Sequence, residues 1–248
     1  MNEIPISIIL PTYNSAQFLP RTIESVLQQD YENFELLVLD NASVDDTPSI
    51  VSRYKDTRIR SVRHSANLGM VGNINYGITA SRGKCGVILC ADDHWLPSFL
   101  SCSVQNQLER PGLTFTNSAV LQGGRESFIR NVFHGTRTVS PWRLVRHLHG
   151  VPLSSLMFPL GSSREFFDER LPFNCDLEFV FRHLICRHLP LTFINWPGVL
   201  VNIHAGNETN LYNVSDENIK LLEVLLKYTP YGALRMVIAL QLSRLRYA

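Results

Sequence analysis

Three observations predict an α/β fold built on a largely parallel sheet. Short apolar, β-prone runs alternate with segments of helical periodicity through roughly the first hundred residues. Strand–helix–strand order of that kind builds right-handed βαβ units. The 248 residues are 45% hydrophobic and 18% charged, which gives one large or two small cores and rules out a disordered or fibrous chain.

Taken in order, Ile4 to Leu10 reads as a buried strand, with Pro11 as its stop and Thr12-Tyr13-Asn14-Ser15 as a polar turn. Between Ala16 and Gln29, Phe18, Leu19, Ile23, Val26 and Leu27 recur at helical spacing. Phe34 to Leu39 is the second strand and stops at Asp40. Thr47 before Pro48 predicts an N-cap and first helical residue for a helix to about Tyr54. Arg58 to Val62, the helix Met70 to Ser81 closed by Gly83, and the strand Val87 to Cys90 complete this half.

The second half is less regular. Ser98 to Glu109 reads as a helix and Leu113 to Leu121 as a strand in a more mixed sheet. Gln122 to Thr138, with Arg125, Arg130, His134 and Arg137, is either a mobile loop over a ligand or a solvated hairpin, and no role is assigned to it. His147 and His149, on or beside an amphipathic helix starting near Trp142, read as surface or packed residues. Helices are expected over Leu177 to Leu189, Asp216 to Tyr228 and Tyr231 to Tyr247. The expected organisation is a domain over 1–215, divided at 97 into two halves, and a helical extension over 216–248.

Bulk properties narrow the function. A net charge of +1 without a basic segment gives no footprint for nucleic acid. Five cysteines without a CxxC pair suggest reduced thiols and a cytoplasmic protein. The amino terminus lacks the pattern of a signal peptide, and no run approaches the roughly 18 apolar residues of a membrane span. Leu234 to Leu245 comes nearest, interrupted by Arg235, Gln241, Ser243 and Arg244. These last helices either pack on the core through Leu234, Val237, Ile238 and Leu245 or press with Arg235, Arg244 and Arg246 on an anionic membrane surface, as a peripheral contact.

The stretch Val87 to Trp95 ends an apolar run in two adjacent carboxylates, Asp92 and Asp93. Neighbouring carboxylates repel unless a positive charge sits beside them, which suggests a divalent cation and a polyanionic ligand. In a parallel sheet the carboxyl ends of the strands share one edge, so Thr12-Tyr13-Asn14, Asp40 and Asp92-Asp93 converge there. Neither a GxGxxG fingerprint nor a GxxxxGK[ST] loop is present. A metal held by the two aspartates is then the economical way to meet phosphate charge.

Four segments, in order and spacing, resemble family 2 glycosyltransferases: Ser7 to Asn14, Leu39 to Thr47, Asn67-Leu68-Gly69, and Ala91-Asp92-Asp93 followed by Leu96-Pro97. The resemblance implies a GT-A fold, a nucleotide-sugar donor, an Mn²⁺ or Mg²⁺ ion, and transfer with inversion to a hydroxyl of a glycan, lipid or small-molecule acceptor. It places Pro11, Thr12, Tyr13, Asn14, Asp40, Asn67, Gly69 and Asp92 around the donor. Tyr13 lies against the base, Asp40 accepts from it (commonly uracil), and Asp92 lies by the ribose and metal. Asp93 ligates the metal bridging the diphosphate. One position departs from the commoner Asp-x-Asp-Asp pattern, where Cys90 replaces the first acid.

The resemblance resumes at Phe166 to Pro172 and at Asn174 to Phe179, where Asp176 matches the Asp of a Glu-Asp pair and Cys175 replaces the Glu. Asp176 is the implied base for the acceptor hydroxyl; its position also suits a helix N-cap, and Asp168 and Glu178 compete for the role. Arg182 reads as facing solvent or a carboxylate. Val201 to Thr209 resembles a late family segment in which a histidine completes the metal shell or touches the diphosphate; His204 is either that residue or an ordinary loop histidine. The Gln-x-x-Arg-Trp segment of processive members is absent, which favours single-sugar transfer. Two further functions compete: a non-catalytic nucleotide-sugar binding module, suggested by Cys90 and Cys175, and a sugar nucleotidyltransferase, which normally needs a glycine-rich basic loop after the first strand.

Overall fold

A computed structural model describes residues 4–123, 125–129, 138–147, 151–162, 165–230 and 232–246. Strand β1 (Ile6–Thr12) pairs in parallel with β2 (Phe34–Asp40) on one side and β4 (Cys85–Ile88) on the other, and β3 (Ile59–Arg63) extends the parallel set beyond β2. Successive residues of β1 serve opposite faces. Ile6, Ile8 and Leu10 pack with Leu19, Ile23 and Val26 of α1 (Leu19–Leu27), whereas Ile9 packs with Val71, Ile74 and Ile78 of α3 (Gly69–Ala80). Because helices cover both faces, these strands read as continuous apolar runs instead of alternating ones.

Two sequence expectations are corrected here. Pro11 does not stop β1, which runs on to Thr12 and pairs Pro11 with Leu39 and Thr12 with Asp40. Ile9 O accepts from Leu89 N on the β4 side and Thr12 O from Asn41 N on the β2 side. Pro11, two residues after Ile9, therefore turns its missing N–H toward the β4 flank, where the ladder ends with the Leu89 N to Ile9 O bond. Thr47 is the first residue of α2 (Thr47–Arg53), not its cap; its hydroxyl accepts from Ser15 N (2.9 Å), and Asp45 Oδ1 accepts from Thr47 N (3.0 Å).

The second half inserts β9 (Met157–Pro159) antiparallel between β4 and β6 (Leu113–Gln122), and β10 (Leu191–Ile203) runs parallel to β6. The short β5 (His94–Trp95) lies antiparallel on the outer edge of β10. Two reversals cancel, so β6 and β10 point the same way as β1 to β4, and their carboxyl ends share one edge. The hairpin strand β7 (Arg125–Ile129) pairs with β6, and β8 (Thr138–Val139) with β10. Arg125 is exposed on β7, while Arg130, His134, Arg137, His149, Tyr231 and Tyr247 lie outside the described residues.

The remaining helices are α4 (Phe99–Glu109), α5 (Pro141–His147), α6 (Cys175–Cys186), α7 (Val214–Tyr228) and α8 (Ala233–Arg246). Of the two roles open to the C-terminal helices, packing is realised. Leu221, Leu222, Leu225, Ile238 and Leu242 are buried in the cluster that also holds Phe158, Phe179 and Phe193, with Leu234, Val237 and Leu245 packed against it. Among the described residues no helix is long and apolar enough to cross a membrane.

Helix α3 approaches the sheet most closely at Gly77, where an added Cβ would meet Ile9 Cγ2 at 2.5 Å and Leu39 Cδ1 at 2.7 Å. Gly77→Ala is expected to overpack this contact and cost about 1–3 kcal/mol, read as a lowered midpoint in thermal or urea denaturation. An unchanged midpoint would show that the helix can lift at no cost.

Candidate active site

The loops after β1 and β2 build the first wall of the crevice. Thr12 is buried and spends its hydroxyl on Leu10 O (3.1 Å), while Tyr13 is 49% exposed. Asn14 adopts left-handed backbone (φ 48°) and joins the two loops: its N–H donates to Ser43 Oγ (2.9 Å), and its side-chain oxygen accepts from Val44 N (2.9 Å). Asp40 is buried, with Oδ1 accepting from Ser43 N (2.9 Å). Its Oδ2 lies 3.2 Å from Arg63 Nε, within ion-pair reach but off the hydrogen-bonding angle, so this buried oxygen has no aligned donor. Such an orphan acceptor suits an N–H that arrives with a ligand.

Asn67 and Gly69 follow β3. Asn67 Oδ1 accepts from Gly69 N (2.8 Å) and from Asn41 Nδ2 (2.8 Å), and Asn41 Oδ1 accepts from Leu68 N (2.8 Å). Gly69 has φ +73°, a conformation that favours glycine. Asn67 thus shapes the turn with its carbonyl, through a partner, Asn41, that sequence reasoning did not single out although it directly follows Asp40.

The second wall is the carboxylate turn. Asp93 N donates to Cys90 O (3.1 Å), so residues 90–93 reverse tightly after β4. From one side, Thr22 of α1 aims its hydroxyl at Ala91 O and Asp93 O (both 2.8 Å). From the other comes a short 3-10 turn, Leu153–Ser155, in which Ser154 Oγ donates to Asp93 Oδ2 (2.5 Å) and accepts from Cys90 N (3.0 Å). Asp93 Oδ1 accepts from Asn202 N near the end of β10 (3.0 Å). Both oxygens of Asp93 are therefore engaged inside the protein. Burial first, and the Asp92 charge second, push its carboxyl up to about 7 against those hydrogen bonds.

Asp92 is placed differently. It is only partly covered, and its Oδ2 faces His204 Nε2 (3.2 Å) and accepts from Asn207 Nδ2 (2.9 Å). His204 follows β10 and stacks on Phe18 (centroids 4.5 Å apart). Gly206 N–H donates to His204 Nδ1 (3.2 Å), which leaves Nε2 to carry the proton toward Asp92. Among the described residues no three His, Cys, Asp or Glu side chains form a metal cage. One carboxylate and one imidazole facing each other do fit a hard or borderline divalent ion that draws its other ligands from phosphate and water, provided the imidazole proton moves to Nδ1 and the Gly206 N–H lets go of it.

Helix α6 precedes β10 in the chain. Asp176 is the second residue of α6, where Asn174 occupies the cap position; it does not cap the helix itself. Its Oδ1 accepts from Leu177 N (2.7 Å), and burial pushes the carboxyl up to about 7. Neither competitor is free. Glu178 is buried and paired with Arg182 Nε (2.8 Å), while Arg170 grips Asp168 at 2.6 Å. The ring of Phe173 lies 5.6 Å from that of Tyr212, joining the segment before α6 to the one after His204. Burial pushes the Cys90 and Cys175 thiols well up, so both are packing residues without thiolate character.

A sheet of this order, with acids and a histidine gathered at its carboxyl edge, is the GT-A architecture of glycosyltransferases. Staphylococcus aureus TarS 1-349, solved in complex with UDP-GlcNAc, superposes with a TM-score of 0.75 over 98% of this chain and 72% of that one, at 14% identity. The mannosyltransferase PcManGT from Pyrobaculum calidifontis, solved with GDP-Man and Mn²⁺, gives 0.69 over 97% and 70%, at 17% identity. Residues 7–144, more than half of the chain, match the model of glycosyl transferase family 2, and the chain belongs to that family. The Escherichia coli UDP-Glc:alpha-D-GlcNAc-diphosphoundecaprenol beta-1,3-glucosyltransferase WfgD is 30% identical over 144 residues, 58% of this chain and 54% of that protein. The E. coli enzyme WfaP, of the same description, is 33% identical over 96 residues, 39% and 38%. The matched region thus spans about half of these relatives or less.

The elimination of Glu178 carries its own test. Arg182 also binds Glu165 Oε2 (2.8 Å) and Phe166 O (2.6 Å). Arg182→Met should remove the guanidinium that pairs with the buried Glu178 carboxylate and cost about 3 kcal/mol, measured by urea denaturation; a loss under about 1 kcal/mol would mean that this pair contributes little to stability.

Proposed function

We propose that the chain is a metal-dependent, inverting glycosyltransferase that moves one sugar from a UDP-linked donor to a hydroxyl of a lipid-linked glycan. The observation that carries this reading is the meeting of Asp92 and His204 at the carboxyl ends of β4 and β10. It lies on the edge that also bears Asp40, and Asp176, in the first turn of α6, is the carboxylate assigned here as the base. The orphan Oδ2 of Asp40 supports a base with an imide N–H, as in uracil, and Tyr13 offers a half-exposed ring to stack on it. WfaP and WfgD, named for a UDP-Glc donor and a diphosphoundecaprenol-linked acceptor, support the donor and acceptor classes.

Asp92 and His204 hold the cation, Mn²⁺ or Mg²⁺, which when bound offsets the negative charge of the diphosphate. Asp93, with both oxygens engaged, supports the turn from behind. Asp176 takes the proton of the acceptor hydroxyl while that oxygen bonds to the anomeric carbon from the face opposite the diphosphate. The bond to the diphosphate breaks, and UDP leaves with the electron pair. One carboxylate is enough, because inversion uses no nucleophile of the enzyme. A nucleotidyltransferase fits less well, since the Pro11 to Ala16 loop has neither glycine nor charge to hold a triphosphate.

Three results are expected. Asp92→Asn should abolish Mn²⁺-dependent UDP binding in calorimetry. Asp176→Asn should leave donor binding within about twofold and cut transfer by roughly 10²–10⁴-fold; near-normal transfer would remove Asp176 from the base role, and transfer without added metal after chelation would remove the cation. The pH dependence follows from the raised carboxyl of Asp176, which must be ionised to act as a base. It is protonated below about 7, so kcat/KM should fall about tenfold from pH 8 to pH 6.

A further inference from the structure

We infer that Ser154 is a positioning residue for the cation site, its hydroxyl and the Asp93 carboxylate forming a latch that fixes Asp92 opposite His204. The inference rests on the reading that Asp92 and His204 hold the cation. Three separate parts of the chain meet at this latch: the turn after β4, the Leu153–Ser155 turn and the end of β10.

Asp93 reaches β10 at Asn202 N, two residues before His204, and so ties the histidine strand directly to the residue after Asp92. Ser154 fixes the same turn at both ends, accepting from Cys90 N and donating to Asp93 Oδ2. Its own carbonyl accepts from Trp95 Nε1 (2.7 Å), which holds the serine backbone in place. Ser154, Asp93 and Trp95 are all buried, at 1%, 6% and 2% exposure, so water cannot replace a lost partner cheaply. A group that donates and accepts at once is required between Cys90 N and Asp93 Oδ2, and a hydroxyl is the smallest side chain that does both. Without it, the partly buried Cys90 N–H and one buried carboxylate oxygen both lose their partner. The turn then relaxes, and Asp92 loses its fixed separation from His204.

The test compares two pairs, Ser154 with Ser154→Ala, which deletes the hydroxyl, and Ser154→Thr with Ser154→Val, which replaces it by a methyl at constant bulk. Mn²⁺ affinity is measured by electron paramagnetic resonance with saturating UDP and no acceptor, and metal-free UDP affinity by calorimetry. In each pair the hydroxyl-bearing protein should bind Mn²⁺ about 10–100-fold more tightly, as for other groups that orient metal ligands, with metal-free UDP affinity unchanged within about twofold. If one variant does not fold, the other pair gives the answer. Equal Mn²⁺ affinity within a pair, or a matching loss of metal-free UDP binding, would overturn the latch and leave the proposed function standing. An unsubstituted protein that binds UDP but no Mn²⁺ would overturn the metal reading and the latch together.

Discussion

The direction of one three-residue strand governs where the chemistry can occur. Strand β9 lies antiparallel to both β4 and β6, so the reversal it introduces is undone on its far side. Had β9 run parallel to β4 while remaining antiparallel to β6, β10 would deliver His204 to the opposite edge of the sheet. The 13 residues of β10 would then separate it from Asp92 by roughly 40 Å. With β9 as it stands, Asp40, Asp92 and His204 leave the carboxyl ends of three strands on one side. The loops can then be short and still meet.

Much of this was legible in the sequence wherever a strand end coincided with a polar residue. The parallel order of β1 to β4 follows from alternating apolar runs and helical periods, and it brings Tyr13, Asp40 and Asp92 together without any contact being known. What the sequence did not carry falls into identifiable kinds. Asn202 contributes a backbone N–H, which has no side-chain signature. Ser154 sits within an apolar stretch, where one hydroxyl has no periodicity to mark it. Pro11 obeys the rule that proline avoids central strands only on the flank that still has a neighbour, and that flank depends on where β4 ends. Thr47 carries the sequence pattern of a cap, but the loop after β1 needed its hydroxyl more.

The two cysteines at positions where acids are common are the clearest instance of sequence ambiguity settled by packing. Cys175 is buried in the core cluster, and the Cys90 thiol is pushed up by burial and by the carboxylates beside it. Neither offers charge to a ligand. The substitutions nonetheless leave the partly covered Asp92 and the Asp176 carboxylate in place, while Asp168 and Glu178 are taken up by arginines. The argument for a purely binding role therefore loses its motive at the level of residues. The acids that were replaced are not the ones that face His204 or begin α6.

Rigidity completes the physical account of the carboxylate turn. A turn bearing two adjacent acids is unstable by charge alone, and here each acid is stabilised by a different environment. Asp93 is drawn inward by Ser154 and Asn202 N, and Asp92 outward by His204 and Asn207. Helix α1 and the residues just past its end support the following segment through Thr22, Ser25 and Gln29. Thr22 reaches Ala91 O and Asp93 O, Ser25 accepts from Trp95 N (3.1 Å), and Gln29 accepts from Leu100 N (3.0 Å). The turn is thus held from α1, from the Leu153–Ser155 turn and from β10 at once. A carboxylate fixed by rigid elements on three sides meets an incoming charge without first paying to be ordered, which is the condition for a preorganised site.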